Sequence, residues 1–115
     1  MNVTNTVPLR TPHVNLGATP ASSGATQLIA AEAGARYRVL SVAIIASAAV
    51  SVKFQSASTD VTATFPLGAN GGFVLPFNEH GWFETNVNEA LNAHLSGAVS
   101  TAVQIQYIKL PAEAN

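Results

Sequence analysis

The sequence has few charged residues and no cysteine. Five Lys and Arg and six Asp and Glu make up 10% of its 115 residues, where an ordinary soluble domain has about a quarter. The absence of cysteine excludes disulfide bonds, thiolate metal sites and cysteine nucleophiles. The formal net charge is −1, which gives no general attraction for nucleic acid, so we expect no nucleic-acid partner.

The charged residues are separated by four uncharged tracts, residues 11–31, 39–52, 61–78 and 90–108. Charge keeps monomers soluble and protects exposed sheet edges from pairing. We therefore expect a homo-oligomer that covers part of this surface. The tract 39–52 would reach only about 21 Å as a helix, which is too short for a hydrocarbon core of about 30 Å. The N-terminus also lacks a basic region followed by an apolar one, so neither a membrane partner nor a secretory signal is expected.

From Thr26 onward, short apolar segments and turn residues recur about every ten residues, a spacing that predicts an all-β fold. The expected architecture is a β-sandwich or jelly roll of about 7–8 antiparallel strands. Residues 1–25 hold three of the six prolines and show no sustained period. They are predicted to be an extended N-terminal arm, with one short strand around His13–Leu16, before a domain at residues 26–115.

Two neighbouring segments carry much of the predicted core. In Arg36–Ala46, simple alternation places Tyr37, Val39, Ala43 and Ile45 on one face and Leu40, Val42 and Ile44 on the other. Because both faces are apolar, this strand is expected to be covered on both sides, on one of them by a neighbouring subunit. Ala49–Gln55 alternates as a half-buried antiparallel strand, and Ser47–Ala48 is short enough to be a hairpin turn between the two.

The other predicted strands are shorter or less regular. They are Thr26–Ala31, Val61–Phe65, Phe73–Phe77, Glu89–Ser96 and Thr101–Leu110. Asn70–Gly71 favours positive φ and predicts a turn, and Pro76 places its strand at a sheet edge or a bend. Thr85–Leu91 could form one helical turn.

The segment Asn78–Glu84 has the densest group of chemically reactive side chains. Glu79, His80 and Glu84 are residue types that bind zinc or manganese. However, adjacent residues of a strand point to opposite faces, and no H-x-x-x-H or D-x-D spacing accompanies them. We expect no metal or other cofactor here, but a polar turn that leads into an aromatic core anchor at Trp82.

Enzyme chemistry finds little support in the sequence. No G-x-S-x-G is present, and Asp60 lies in a Ser- and Thr-rich turn, where Asp is typical. A glycosidase pair of Glu79 and Glu84 would need carboxyls about 5–10 Å apart across a cleft that nothing else in the chain predicts. We expect no catalytic and no cofactor-binding residues, and the chain is not expected to be an enzyme.

Two further groups invite a functional interpretation. Gly68, Gly71 and Gly72 do not form a phosphate-binding loop, because no Lys-Ser/Thr pair and no helix follow them. Arg36 and Arg38 share one strand face with little other positive charge nearby, which is too few for a nucleic-acid groove. They could meet a carboxylate of a neighbouring subunit or be solvated at the start of the strand.

Several segments of the sequence follow one another in an order and at a spacing similar to those of a known protein family. They are Tyr37–Val42, Val50–Phe54, Phe65–Phe77, Gly81–Thr85 and Glu89–Asn92. Over about residues 26–110 the chain resembles a family of small structural proteins of tailed phages and prophages. The resemblance implies a capsid decoration, or cement, protein that binds the major capsid protein lattice as a homotrimer and stabilises the shell. Such a protein is made in the host cytoplasm and located on the capsid surface of the virion.

Other functions remain open at the level of the sequence. A related one is a β-domain associated with the tail or a fibre of the phage. From a different class, Trp82 could stack on a sugar in a carbohydrate-binding module used for adhesion, with a glycan as the partner. A small hydrolase is the third hypothesis.

Overall fold

Residues 12–112, the part of the chain that the computed structural model describes, form ten β-strands. They are β1 Val14–Ala18, β2 Gly24–Ile29, β3 Ala35–Ala46, β4 Val50–Ser56, β5 Thr59–Asp60, β6 Phe65–Leu67, β7 Gly72–Leu75, β8 Phe83–Glu84, β9 Leu91–Leu95 and β10 Thr101–Pro111. All pairings between these strands are antiparallel. The predicted all-β class is confirmed.

The strands are arranged as two five-stranded sheets with a shared core. The first sheet has the order β1-β10-β3-β7, with β8 also on β3, and the second has the order β2-β9-β4-β5, with β6 also on β4. If β5 and β6 are counted as one interrupted strand, and β7 and β8 as another, the chain has eight strands. The first strand then pairs with the last, the second with the next to last, and the remaining pairs follow the same order toward the middle of the chain. That nesting is the topology of a jelly roll, one of the two predicted architectures.

The number of strands differs from the predicted 7–8 because two edge strands are interrupted. Pro76 ends β7 and a turn precedes β8, while β7 and β8 pair with successive parts of β3. In the other sheet, the Thr62 hydroxyl accepts a hydrogen bond from the Phe54 backbone N–H between β5 and β6. A side chain thus replaces one bond of the strand ladder at this point.

The core lies between the sheets, and β4 and β9 contribute five of its fully buried side chains. Val52, Phe54, Leu91, Ala93 and Leu95 alternate along these two strands and are fully buried. Each large apolar side chain buried in this way contributes about 1.5–3 kcal/mol. The predicted alternation of these strands is confirmed.

A β-bulge changes the orientation of side chains along β3. Tyr107 pairs with Val39 and Gln106 pairs with Ser41, so Leu40 is an extra residue between them. A bulge of this kind shifts the alternation of every later side chain on its strand. Leu40 itself is buried in a small second cluster with Ile108 and Leu110.

The bulge overturns the face assignment made from simple alternation. Tyr37 and Val39 face the core before the bulge, and Val42 and Ile44 face it afterwards. Ala43 and Ile45 therefore point away from the core, on the opposite side from the one predicted. The prediction was wrong because it assumed an unbroken strand. The extra residue at Leu40 moves every later side chain of β3 to the opposite face of the sheet.

Three local predictions are also corrected. Ser47–Ala48 is not a hairpin turn, because β3 and β4 belong to different sheets and the link crosses between them. Thr85–Leu91 contains no helical turn, since Thr85 and Asn88 donate backbone hydrogen bonds to carbonyls of residues 37 and 35. The strand expected at Val61–Phe65 begins only at Phe65. Within residues 12–112, no helix is long and apolar enough to cross a membrane.

The N-terminal part of the described chain belongs to the first sheet. β1, close to the short strand predicted around His13–Leu16, pairs with β10 over five residues, Val14–Ala18. Residues 1–11 and 113–115 lie outside the described part of the chain. The predicted arm and the domain boundary after residue 25 stay predictions.

Candidate functional site

The outer surface of the first sheet carries a patch without charge. Its residues lie in two rows across β1, β10, β3 and β7, and we call it the neutral face. One row is Gly17, Gln104, Ala43 and Val74, and the next is Ala102, Ile45 and Gly72. Together they line a shallow depression of about 660 Å³.

Small residues keep this depression open. A Cβ on Gly17 would lie 2.8 Å from the side-chain Oε1 of Gln104, and a Cβ on Gly72 would meet the backbone carbonyl of Ile44. Ala43 and Ala102 add only one methyl group each. Side chains therefore project little from the sheet at this point, so another flat surface can approach the backbone closely.

Two apolar side chains rise from the neutral face into solvent. Ile45 is 52% exposed and Val74 is 67% exposed. Single exposed aliphatic residues are common on protein surfaces, but two on adjacent strands above a floor of small residues form a contiguous apolar patch. The bulge at Leu40 creates this patch, because it is what turns Ala43 and Ile45 outward.

The outer surface of the second sheet is polar. Its cross-strand neighbours include Gln27, Asn92, Gln55, Lys53 and His94. The Lys53 ammonium donates to Asp60 at 3.2 Å and the Gln55 amide donates to the other oxygen of the same carboxylate at 2.9 Å. These hydrogen bonds lower the pKa of Asp60. This surface is typical of a sheet that faces water, which the neutral face is not.

The other end of the first sheet carries an ion-pair cluster. Glu84 of β8 lies opposite Arg38 and accepts hydrogen bonds from it at 3.1 and 3.3 Å. Arg36 donates to the second oxygen of the same carboxylate. The two arginines thus meet a carboxylate of their own chain, which corrects the expectation that they would meet a neighbour or be solvated.

The loop between β7 and β8 places its aromatic residues differently from the prediction. Phe83 is the core anchor and stacks on Phe54, with ring centroids 5.1 Å apart. Trp82 is 42% exposed, and its indole N–H donates to the Pro76 carbonyl at 2.8 Å. Phe77 of the same loop is 53% exposed. The expected role of Trp82 as a core anchor is therefore wrong, because its neighbour in sequence takes that position.

The reactive residues of the segment 78–84 do not converge on one site. Glu84 is held by the two arginines of β3, while Glu79 lies 3.8 Å from His80 in an exposed turn. In residues 12–112, no group of three or more His, Asp or Glu side chains could hold a metal ion. Gly68 and Gly71 close a tight turn through a backbone hydrogen bond of 2.9 Å, with Asn70 at positive φ as its sequence predicts.

The sequence indicated an apolar second face on β3 but assigned the wrong residues to it. Ile44, grouped there with Leu40 and Val42, is buried in the core, and Ile45 is exposed instead. The contributions of Gly17 and Val74 were missed, because only the pairing of β1 and β7 brings them beside β3 and β10. The signal that could have found them is the uncharged composition shared by these four segments.

Comparisons with known proteins found a similarity of structure but no match of sequence. No protein-family model matches the chain, and no match was found among curated protein sequences. Among solved structures, the fold is similar to a chain of the Bacillus endospore appendages, described as a novel family of disulfide-linked pili. The TM-score is 0.46 and the sequence identity 14%, with 89% of this chain and 87% of that chain covered.

Proposed function

We propose that the chain is a structural protein of a phage virion, a capsid decoration protein that acts as a homotrimer on the major capsid protein lattice. The observation that carries the proposal is the contrast between the two outer surfaces of the jelly roll. The outer surface of the second sheet is polar and suited to water, whereas the neutral face, at one end of the first sheet, is uncharged and carries exposed Ile45 and Val74. The resemblance of residues 26–110 to small tailed-phage structural proteins supports the same role.

A structural role suits the distribution of charge over the described residues. The Glu84, Asp60 and Glu32 carboxylates each bind a cation of the same chain. Their charges are therefore used within the subunit, and contact with a partner would depend on shape and apolar area. On a lattice, many weak contacts of this kind add up through avidity. In this role the chain works through contact and needs neither a catalytic group nor a cofactor.

Electron microscopy of phage particles that carry the chain tests the proposal. We expect density for the protein on the capsid shell, at positions with local three-fold symmetry. Particles that lack the protein should lose this density and release their contents at a lower temperature. Density at the tail or at a fibre tip would contradict the capsid role and favour the tail-associated alternative.

Carbohydrate binding is a second candidate function, favoured by the exposed aromatic residues of the loop 76–82. The Trp82 ring is fixed by its hydrogen bond to the Pro76 carbonyl, and Phe77 is exposed in the same loop. Fixed aromatic faces beside polar side chains suit the stacking and hydrogen bonding of a sugar. Because Trp82 is the only tryptophan, its fluorescence reports on this loop alone. A saturable change with one glycan of a panel, weakened in Phe77→Ala, would support binding, and no change with any glycan would exclude it.

A further inference from the structure

The turn Gly68–Gly71 contains the one Asn-Gly pair of the sequence, Asn70–Gly71. An asparagine followed by glycine is the pair most prone to spontaneous deamidation, because glycine has no side chain to keep its backbone nitrogen away from the asparagine amide. Asn70 is exposed, so water can reach its side chain. Sequence and exposure together make this turn a candidate modification site.

Most other asparagines of the described chain are held in place by their side chains. Hydrogen bonds of 2.6–3.1 Å engage the side-chain amides of Asn78, Asn86, Asn88 and Asn92. Asn15 lies within strand β1 and is followed by Leu16. Within residues 12–112, no hydrogen bond of this kind holds the Asn70 side chain. What restrains Asn70 is therefore its backbone alone.

The backbone of the turn keeps the reacting atoms apart. The Gly71 N–H donates to the Gly68 carbonyl at 2.9 Å, and Asn70, the third residue of the turn, has a φ of 61°. Positive φ at the third residue alone defines a type II turn, in which ψ of that residue is about 0°. At this ψ the Gly71 nitrogen points toward the backbone nitrogen of Asn70 and away from its side chain.

Two further hydrogen bonds fasten the turn to the end of β3. The Asn70 N–H donates to the Ala46 carbonyl at 2.8 Å, and the Ala46 N–H donates to the Gly71 carbonyl at 2.8 Å. Rotation about ψ of Asn70 would break this arrangement. We infer that Asn70 is a deamidation site that the folded turn holds in an unreactive conformation, so that it converts to aspartate and isoaspartate only when the turn opens.

The reaction proceeds in two steps and needs only water. The Gly71 nitrogen loses its proton and attacks Cγ of Asn70, so that an N–Cγ bond forms, the Cγ–Nδ2 bond breaks and the side-chain amide leaves as ammonia. Water then opens the cyclic imide at one of its two carbonyl carbons. Opening at one carbon gives aspartate in the normal main chain, and opening at the other gives isoaspartate, in which the main chain runs through the former side chain.

Either product would change the edge of the neutral face. The turn adjoins this face, because Gly72 follows it directly and its partner Ala46 follows Ile45. The new carboxylate would place a negative charge beside a patch that has none. Isoaspartate would also lengthen the main chain by one methylene group between Asn70 and Gly71. The closed turn thus preserves the uncharged character of this surface.

Peptide mapping by mass spectrometry, on protein incubated at neutral pH with and without guanidinium chloride, measures the reaction. In denaturant, Asn70 should convert before any other asparagine. In the folded protein it should convert about tenfold more slowly or less, which corresponds to about 1.4 kcal/mol or more for opening the turn. Asn88 has a similar φ of 69° but precedes Glu89, and is the internal control that should stay unmodified. Equal rates for Asn70 in the two states would overturn the inference.

Two variants change the turn and leave the Asn-Gly pair intact. Ala69→Pro fixes φ at the second position of a type II turn, where proline is common, and the Ala69 N–H takes no part in the hydrogen bonds of the turn. Gly72→Ala forces a Cβ against the Ile44 backbone and should loosen the turn. Folded Ala69→Pro should deamidate more slowly than wild type and Gly72→Ala faster. In denaturant all three rates should be equal, because the reacting pair is the same.

Amide hydrogen exchange at Gly71 gives an independent measure of turn opening. Exchange removes the same N–H proton and requires the same hydrogen bond to open. Across wild type and the folded variants, exchange at Gly71 and deamidation at Asn70 should therefore change by the same factor. Circular dichroism shows which variants are folded, and Ala69→Pro keeps the comparison if Gly72→Ala is not. A folded variant in which one rate changes and the other does not would overturn the inference.

Discussion

Phe54 of the second sheet and Phe83 of the first stack with their ring centroids 5.1 Å apart and an angle of 26° between the rings. Phe54 is fully buried in the middle of β4, whereas Phe83 belongs to the two-residue edge strand β8. The contact therefore fastens a short edge strand to the centre of the opposite sheet. It also fixes which side chains of β8 face the core. As a result, Trp82 lies on the surface and Glu84 reaches the arginines of β3.

Replacing Phe54 with alanine should destabilise the fold strongly. A cavity of this size in a packed core costs about 3–5 kcal/mol in the free energy of unfolding. Phe77→Ala removes the same side chain from an exposed position and should cost less than about 0.5 kcal/mol. Urea unfolding followed by circular dichroism measures both variants. A similar cost for the two would show that Phe54 is not a central core residue.

The parts of the fold that depend on one strand alone were predictable from the sequence. The apolar side chains of β4 and β9 alternate, so the core residues of both could be read from the period of two, while Gln55 of β4 is buried out of that phase. The all-β class follows from these strands and from the spacing of turns.

Features that depend on pairing between strands could not be predicted in this way. The Leu40 bulge is defined by its register against β10, which no local pattern contains. The sequence Ser47–Ala48 fits a tight turn whether the flanking strands pair with each other or belong to different sheets. Trp82 and Phe83 are both aromatic, and only the pairing of Phe83 with Val39 decides which one enters the core. The residues that β1 and β7 add to the neutral face were missed for the same reason, since the face exists only after four separate strands align.

Replacing Glu84 with glutamine should lower stability, since Arg36 and Arg38 would lose a shared anion. Both guanidinium groups are largely buried, with side chains 16% and 19% exposed. Hydrogen bonds to charged groups contribute more than neutral ones, and we expect a loss of about 1–2 kcal/mol at low salt. Glu32→Gln breaks an exposed pair with Lys109 and is the matched control, with a loss below about 0.5 kcal/mol.

Thermal unfolding at low and at high salt separates these two contributions. The difference between wild type and Glu84→Gln should shrink only modestly in high salt, because the pair is partly shielded from solvent. A Glu84→Gln protein as stable as Glu32→Gln would contradict a stabilising role for the cluster.

The stability of the protein should fall in acid in part through Glu89. The carboxylate accepts a hydrogen bond from the buried Ser56 hydroxyl at 2.6 Å and one from the Asn86 amide at 3.1 Å. These bonds lower the pKa of Glu89 below its ordinary value of 4.5. Because the folded-state pKa is lowered, the contribution is complete above pH 4.5 and is lost as pH falls through the lower folded-state pKa.

Unfolding measured as a function of pH, for wild type and Glu89→Gln, checks this linkage. The variant should be less stable than wild type at neutral pH, and the two should converge in acid, where the wild-type carboxyl is also neutral. Parallel curves, with a constant difference at every pH, would mean that the loss comes from packing and not from the charge of Glu89.

Gly72→Ala tests whether the edge of the neutral face depends on close contact between β7 and β3. A Cβ at this position would clash with the Ile44 carbonyl oxygen and lie 2.8 Å from the Ile45 Cα, both backbone atoms. The strands must move apart to admit it, at a cost of about 1–3 kcal/mol. Gly68→Ala, four residues earlier in the same turn region, meets no atom within 4 Å and should change stability by less than about 1 kcal/mol.

Amide hydrogen exchange locates the effect of the Gly72 substitution. Faster exchange in Gly72→Ala should appear at the residues that β7 contacts, Val42–Ile45, while β4 and β9 keep wild-type protection. Unchanged exchange at Val42–Ile45 would mean that β7 can shift without loss, and that the flatness of the neutral face does not depend on glycine at this position.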